Sequence, residues 1–355
     1  MRKTIINFIL IAFTFQILSY DLFSSPLDED DELIFYPSNL YLDSEKNTYK
    51  VLIHAHVFEK KEDSIKRKLL IKYLNFGLEE TDDSGKGIFK ERSKWFLVDN
   101  KRGKEISIEL LGKKYSLNET EPNGRSLTEV VINKSLINDN VRNIGYIEFS
   151  NLSSKKNKKV SLGRIHLVEE NSTCLISDID DTLKISDVRN KKSLVQNTFV
   201  KPFQVIEGMS EYYNQQRSNG TKCFVNVSAS PWQMFTILND FFSKNGFPLT
   251  VYQMKDFRMK DSDFFNLFEK PEQYKFDSID PLIKEWKKVK FILVGDTGEK
   301  DPEAYANLAM KYPEQVKQIF IRIAYDENLD KRIESIFEKI PKDKYKFFKS
   351  VSEIR

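Results

Sequence analysis

The chain has 355 residues, 40% of them hydrophobic, which is enough to bury a sizeable core and long enough for two domains. A formal net charge of +3 sets up no global field for nucleic acid, so a nucleic-acid partner is not expected. Three histidines argue against Ser-His-Asp chemistry or a histidine-rich pair of metals.

The first stretch, MRKTIINFILIAFTFQILSY, starts with Arg2 and Lys3 and continues in an apolar run from about Ile5 to Leu18. That run falls short of the roughly 20 residues of a spanning helix and has the layout of an export signal. Residues 1–25 are therefore expected to direct export to the periplasm or the exterior, ending near Ser24 or Ser25. The alternative is a leader that stays uncut and anchors the chain in a membrane.

Residues 33–168 read as a β-rich accessory domain, a sandwich or barrel-like fold. YKVLIHAHVF alternates around Val51, Ile53, Ala55 and Val57, and KWFLVD, KEISIELLG and NIGYIEFS look alike. Turn chemistry separates them at DDSGKG, DNKRG and EPNG. EDSIKRKLLIKYLNFGL has the period of an amphipathic helix. His54 and His56 share a strand face, but no other ligand type lies close in sequence, so a structural role is expected of them, with His166 in another strand-like run. The basic run Lys155 to Lys159 reads as a solvated loop.

Near Glu169 the pattern changes. Continuous apolar runs in TCLISD, CFVNVSAS, KFILVGD and QIFIRIA alternate with helical stretches, which predicts a parallel sheet covered on both faces over residues 169–355. Cys174 and Cys223 sit inside two of these runs and read as buried, unpaired small hydrophobes; a bond would need their strands to be neighbours.

In such sheets ligands bind beyond the carboxyl ends of the strands. CLIS ends in Asp178, Ile179, Asp180, Asp181 and Thr182; FVNV ends in Ser228, Ala229, Ser230 and Pro231; FILV ends in Gly295, Asp296, Thr297, Gly298, Glu299, Lys300 and Asp301. Acids, hydroxyls and acids again thus converge on one edge. Two carboxylate-rich strand ends suit Mg2+, which takes one or two carboxylates together with substrate phosphate, and its charge would let the aspartates tolerate one another. The chemistry that fits is phosphoryl transfer to a carboxylate, with Asp178 attacking phosphorus and Asp180 as general acid and then base. Ser228 would hold a phosphoryl oxygen, and Lys275 would neutralise the group, although Lys270, Lys284, Lys287 and Lys288 lie near it in sequence. The bland alternative for Asp178 and Asp180 is a helix N-cap, and Asp301 before Pro302 is also a good N-cap. Trp232 is expected to pack under the second strand.

These residues resemble the four motifs of the haloacid-dehalogenase superfamily: Asp178, Asp180 and Thr182 match the first, Ser228 the second, Lys275 the third, and Asp296 with Asp301 the fourth. More closely, SDIDDTLKISDV, NTFVKPFQVIEGMSEYY, VSASPWQM and LVGDTGEKDPEAYANLAMKYPEQVKQIFIR are similar to the catalytic domain of the actin-patch-associated phosphatidate phosphatases, relatives of the lipins. The resemblance implies an α/β fold with a Rossmann-like parallel sheet and Mg2+-dependent conversion of phosphatidate to diacylglycerol and phosphate. It also implies a metal held by Asp178, the backbone carbonyl of Asp180, and Asp296, with Asp301 close behind, and Ser228, Lys275 and Thr182 around the phosphate. The chain departs from the family after NGFP, where it reads LTVYQMKDFRMKDSDFF, and at Ala229 and Thr297, which replace a usual asparagine and serine. The first departure bears on lipid specificity. Phosphatases of soluble phosphomonoesters and silent phosphatidate-binding modules are the competing readings. Contact with a membrane surface, through the β-rich domain or the aromatic stretch at Phe257, Phe264, Phe265 and Phe268, is a further expectation.

Overall fold

The computed structural model describes residues 24–43, 45–60, 82–256, 273–325 and 331–355. Residues 1–23 of the expected leader, the amphipathic stretch between the first strands and the aromatic segment lie outside the described residues. Within the first half the strands are β1 (Ser25–Pro26), β2 (Glu32–Tyr36), β3 (Ser38–Asp43), β4 (Thr48–Glu59), β5 (Asp99–Asn100), β6 (Lys104–Glu105), β7 (Ser107–Leu110), β8 (Lys113–Ser116), β9 (Arg125–Asn133), β10 (Tyr146–Asn151) and β11 (Leu162–Val168). Nine of them form one mainly antiparallel sheet in which the long β4 pairs with β9 on one side and with β2 and β3, end to end, on the other. The alternating residues Val51, Ile53, Ala55 and Val57 are buried and share one apolar cluster with Ile108, Leu110, Phe149 and Leu167. Period-two alternation therefore gives this sheet one apolar face that packs on itself.

Two local expectations are overturned here. DDSGKG is not a turn: it opens helix α1 (Asp83–Ser93), because Asp82 caps it by accepting from Gly85 N at 2.8 Å. Burial of Phe89 and Arg92 outweighs the cost of the helical glycines. KWFLVD is not a strand either. Lys94–Phe96 form a 3-10 turn, since the adjacent Phe96 and Leu97 both enter one core and cannot alternate. A short α2 (Asp139–Ile144) follows.

The second half holds a six-stranded, wholly parallel sheet built from β12 (Thr173–Ser177), β13 (Cys223–Pro231), β14 (Val251–Lys255), β15 (Lys290–Asp296), β16 (Val316–Arg322) and β17 (Tyr345–Phe348). Its order is β14-β13-β12-β15-β16-β17, so the chain steps outward from β12 on one side and then returns to build the other. The strand order reverses between β12 and β15, which is where a crevice opens beyond the carboxyl ends of such sheets. Helices α3 (Lys191–Phe199), α4 (Met209–Ser218) and α5 (Phe235–Lys244) contribute to one apolar cluster with Leu175. On the other face, α6 (Tyr274–Glu285), α7 (Asp301–Lys311) and α8 (Lys331–Phe337) pack with Cys174 and Ile176. Successive residues of β12 thus serve opposite faces, which is why its run is apolar throughout.

Cys174 and Cys223 are not an unpaired couple. They sit opposite one another in the β12–β13 register with Cα atoms 4.5 Å apart and form a disulfide. The halves meet at Tyr36, whose ring centroid lies 4.4 Å from Trp232 and 4.9 Å from Phe235. Trp232 is therefore core, as expected, but of the seam between the halves. Among the described residues no helix is long and apolar enough to cross a membrane.

Candidate active site

The carboxyl ends of β12 and β15 bring Asp178, Asp296 and Asp301 together, with one oxygen of each within 4.8 Å of the others. All three are buried. Asp178 N donates to Val294 O at 2.9 Å, tying the end of β12 to β15. Asp296 ends β15 and accepts from Gly298 N at 2.5 Å and from Thr182 Oγ1 at 3.1 Å. Asp301 is the first residue of α7 rather than its cap, a place held by Lys300, and its Oδ2 accepts from Asp296 N at 3.1 Å. Gly295 is needed for this approach, since a Cβ there would collide with Asp301 and Tyr305.

Lys275, buried near the start of α6, lies 2.8 Å from Asp178 Oδ1 and 3.3 Å from Glu299 Oε2, and it also pairs with Asp301. One ammonium among these acids leaves a surplus of negative charge. The Asp178 carboxyl is pushed up to about 7, chiefly by burial, with Lys275 opposing the rise and Asp301 and Asp180 adding to it. Asp296 is raised well above the ordinary carboxylate range by burial, Asp301 and Asp178. Burial would lower Lys275, but Asp178, Asp301 and Asp296 outweigh it and hold the ammonium above its usual range. Asp178 Oδ2 is buried with no hydrogen-bond partner. Three carboxylates, a charge deficit and an orphaned hard oxygen fit a divalent cation.

Asp180 belongs to a separate group. Its carboxylate lies 2.9 Å from Lys184 Nζ, accepts from Ser186 Oγ at 2.6 Å, and accepts from Ser228 and Ser230 hydroxyls at 3.2 Å each. No helix follows Asp178–Thr182, so the N-cap alternative does not describe these residues. Instead the chain turns back on itself, with Asp181 in the left-handed region at φ 58° and its N donating to Lys184 O at 2.7 Å. The Asp181 side chain accepts from the N–H groups of Ser186, Asp187 and Val188 at 2.8–2.9 Å and from Tyr325 Oη at 2.7 Å, fixing the next loop.

The structure thus gathers every residue singled out from the sequence: Asp178, Lys275, Asp296 and Asp301 in one cluster, Thr182 against it, and Asp180 with Ser228 beside it. Glu299, already placed at the third strand end, joins Lys275, whereas Lys184 and Ser186 are additional. The signal for Lys184 was its position four residues after Asp180, in a run otherwise destined for burial. A cleft of about 500 Å³ between the halves, lined by His54, Trp232 and Tyr252, has none of these acids in its wall.

Residues 173–323 match the family described as Phosphatidate phosphatase APP1, catalytic domain. The chain is 34% identical over 177 residues to Phosphatidate phosphatase APP1 of Saccharomyces cerevisiae, covering 46% of this chain and 30% of the yeast protein. It is 29% identical over 208 residues to an uncharacterized protein of Schizosaccharomyces pombe, covering 57% of this chain and 34% of that one. The chain therefore spans about a third of the length of these relatives. A solved β-glucuronidase of Parabacteroides merdae overlaps 83% of this chain and 34% of its own at 9% identity, with a TM-score of only 0.28. Every acid and lysine of the two groups falls between residues 173 and 323, the segment that matches the APP1 catalytic-domain family.

Proposed function

We propose that the chain is a Mg2+-dependent phosphatase that hydrolyses phosphatidate to diacylglycerol and phosphate through an aspartyl-phosphate on Asp178. The observation that carries this is Asp178 itself, a buried carboxylate with one oxygen on Lys275 and the other unpartnered. The phosphatidate in the reading comes from the yeast relative and the family match. Asp178, Asp296 and Asp301 would hold the cation, with the backbone carbonyl of Asp180, and the bound ion would supply Lewis acidity toward the phosphoryl oxygens.

The residues then divide the work. Asp178 Oδ2 attacks phosphorus as the ester P–O bond breaks, and Asp180 gives the leaving alkoxide its proton. Asp180 next takes a proton from water, which attacks phosphorus and frees phosphate and Asp178. Lys275 keeps Asp178 and Asp301 oriented and compensates charge that builds on the phosphoryl group. Ser228, whose hydroxyl now faces Asp180, is placed to turn to a phosphoryl oxygen. The Cys174–Cys223 disulfide supports the further proposal of an exported protein, since such bonds persist in oxidising compartments. Finding the full-length protein in the cytosol by cell fractionation would overturn it.

The test is phosphate release from phosphatidate in mixed micelles, set beside a soluble sugar phosphate, with Mg2+ and with chelator. Phosphatidate is expected to be turned over faster, with activity lost on chelation. Equal or faster turnover of the sugar phosphate would remove the lipid part of the reading. Asp178→Asn is expected to lose at least about 10³-fold in kcat, as removal of a nucleophile does. Retention of turnover in that variant would sink the mechanism.

A further inference from the structure

Two buried lysines pair with different acids of the site. Lys275 serves Asp178, Asp301 and Glu299, whereas Lys184 serves Asp180. We propose that Lys184 is a positioning residue that claims the Asp180 carboxylate, keeps it from ligating the cation held by Asp178, Asp296 and Asp301, and so reserves it for proton transfer. The proposal rests on the phosphatase reading and adds a residue to it.

The argument begins with distance along the chain. Asp178 and Asp180 are two residues apart at one strand end, and a hard divalent ion takes any carboxylate oxygen that reaches it. Nothing in the residue type separates a ligand from a proton carrier, so the surroundings must. The side chains of Lys184 and Asp180 are 3% and 10% exposed, and at 2.9 Å they form a buried ion pair. Such a pair is costly to break, because the carboxylate left behind keeps an uncompensated charge. That charge would be drawn to the nearby cation.

The backbone holds the lysine in place. Asp180 and Lys184 face each other as a β-bridge, Lys184 bridges on to Val205, and the left-handed Asp181 closes the turn between them. The Lys184 ammonium also donates to Ser186 Oγ and lies 5.0 Å from the centroid of the Phe203 ring. The two oxygens of Asp180 consequently differ. Oδ1 faces Lys184 and Ser186, a buried ammonium and the hydroxyl beside it. Oδ2 accepts the longer bonds from Ser228 and Ser230, at 3.2 Å each. When Ser228 turns to a phosphoryl group, Oδ1 stays anchored and Oδ2 becomes the oxygen that exchanges protons.

Mn2+ provides a probe that needs no turnover. Crystals of the full chain soaked in Mn2+ are expected to show Asp180 still on Lys184, with its carboxylate off the ion; a carboxylate oxygen of wild-type Asp180 on Mn2+ would overturn the proposal without any variant. In Lys184→Met the Asp180 carboxylate is expected on the ion, with Mn2+ bound about tenfold more tightly, the scale at which residues behind metal ligands act. Asp180→Asn combined with Lys184→Met should return Mn2+ affinity to within about twofold of wild type, since the extra ligand is then gone. In turnover, Lys184→Met is expected to lose about 10²-fold in kcat with KM nearly unchanged, and Lys184→Arg to recover most of it. Mn2+ affinity in Lys184→Met within about twofold of wild type, or tighter binding that persists in the double variant, would overturn the proposal. Failure of the wild-type protein to release phosphate would instead remove the phosphatase reading, so the two failures are told apart.

Discussion

The two halves of the molecule bury polar groups by different means. In the β-rich half His56 Nε2 donates to Asn100 Oδ1 at 2.9 Å while Nδ1 accepts from Tyr36 Oη at 3.2 Å, so one neutral tautomer satisfies both nitrogens. Lys104 is likewise matched, at 2.6 Å from Asp28 and 3.0 Å from Asp31. In the α/β half Lys275 faces more acid than it can neutralise. Charge that its neighbours balance is scaffolding. Charge that they leave over needs a ligand, and that surplus separates chemistry from architecture here.

Neutralising one acid in each half should break the contrast most sharply. Asp296→Asn takes charge from the crowded cluster and is expected to cost at least about 10³ in turnover, roughly 4 kcal/mol of barrier. Its melting temperature in metal-free buffer is expected to hold or rise, because repulsion falls. In the wild type, Mg2+ at 100 times its Kd should add about 2.7 kcal/mol of stability by mass action, a gain that Asp296→Asn should lose. Asp31→Asn is the matching change in the first half. Asp31 is 2% exposed and accepts from Asp28 N at 2.8 Å as well as from Lys104. Its loss should lower stability by about 1–3 kcal/mol, the penalty of leaving a buried donor unsatisfied, while kcat per folded molecule stays put. Calorimetry and phosphate release on both variants read out the pair of outcomes. A stabilised Asp31→Asn, or an active Asp296→Asn, would erase the distinction drawn between the halves.

Much of the second half was legible in the sequence because its strands are buried on both faces, and a continuous apolar run ending in polar residues marks the place where a parallel strand meets a crevice. The runs ending at Asp178, Ser228 and Asp296 are β12, β13 and β15, in the order expected. β14 and β17 were not foreseen, for Tyr252, Gln253 and Lys255 in one and Lys346 in the other interrupt the apolar signal. α3 was missed because its stretch, KKSLVQNTF, buries only three residues. In the first half the errors fall where tertiary packing overrides local preference, as at Gly85 and Gly87 inside α1 and at Phe96 with Leu97. The disulfide escaped because register cannot be read from one strand alone; only the β12–β13 pairing sets Cys174 against Cys223. Lys184 escaped for a related reason. Its meaning lies in the turn at Asp181, and a non-glycine residue in the left-handed region is not announced by its identity.

The smallest effect separates the halves by sign alone. His56 and His166 are held down at about 4, and His54 well below its usual value, each first by burial. Unfolded histidines bind protons below about 6.5 while these folded ones do not until about 4, so the unfolded state holds more protons in that window and stability falls as pH drops. By pH 6 the loss should be on the order of 1 kcal/mol per histidine. Asp178 runs the other way. Its folded carboxyl titrates near 7, above the unfolded value near 4, so without metal the cluster gains stability as pH falls through 7. Amide exchange, corrected for intrinsic rate and followed from pH 7.5 to 5.5 in metal-free buffer, should therefore show protection falling along β4 and β11 while it rises at the ends of β12 and β15. Saturating Mg2+ should remove the second trend and leave the first, because a cation on Asp178 competes with the proton and has no counterpart among the histidines. Parallel trends in both halves would mean that the surplus charge near Lys275 is balanced by some other group, and the contrast from which the site was argued would go with it.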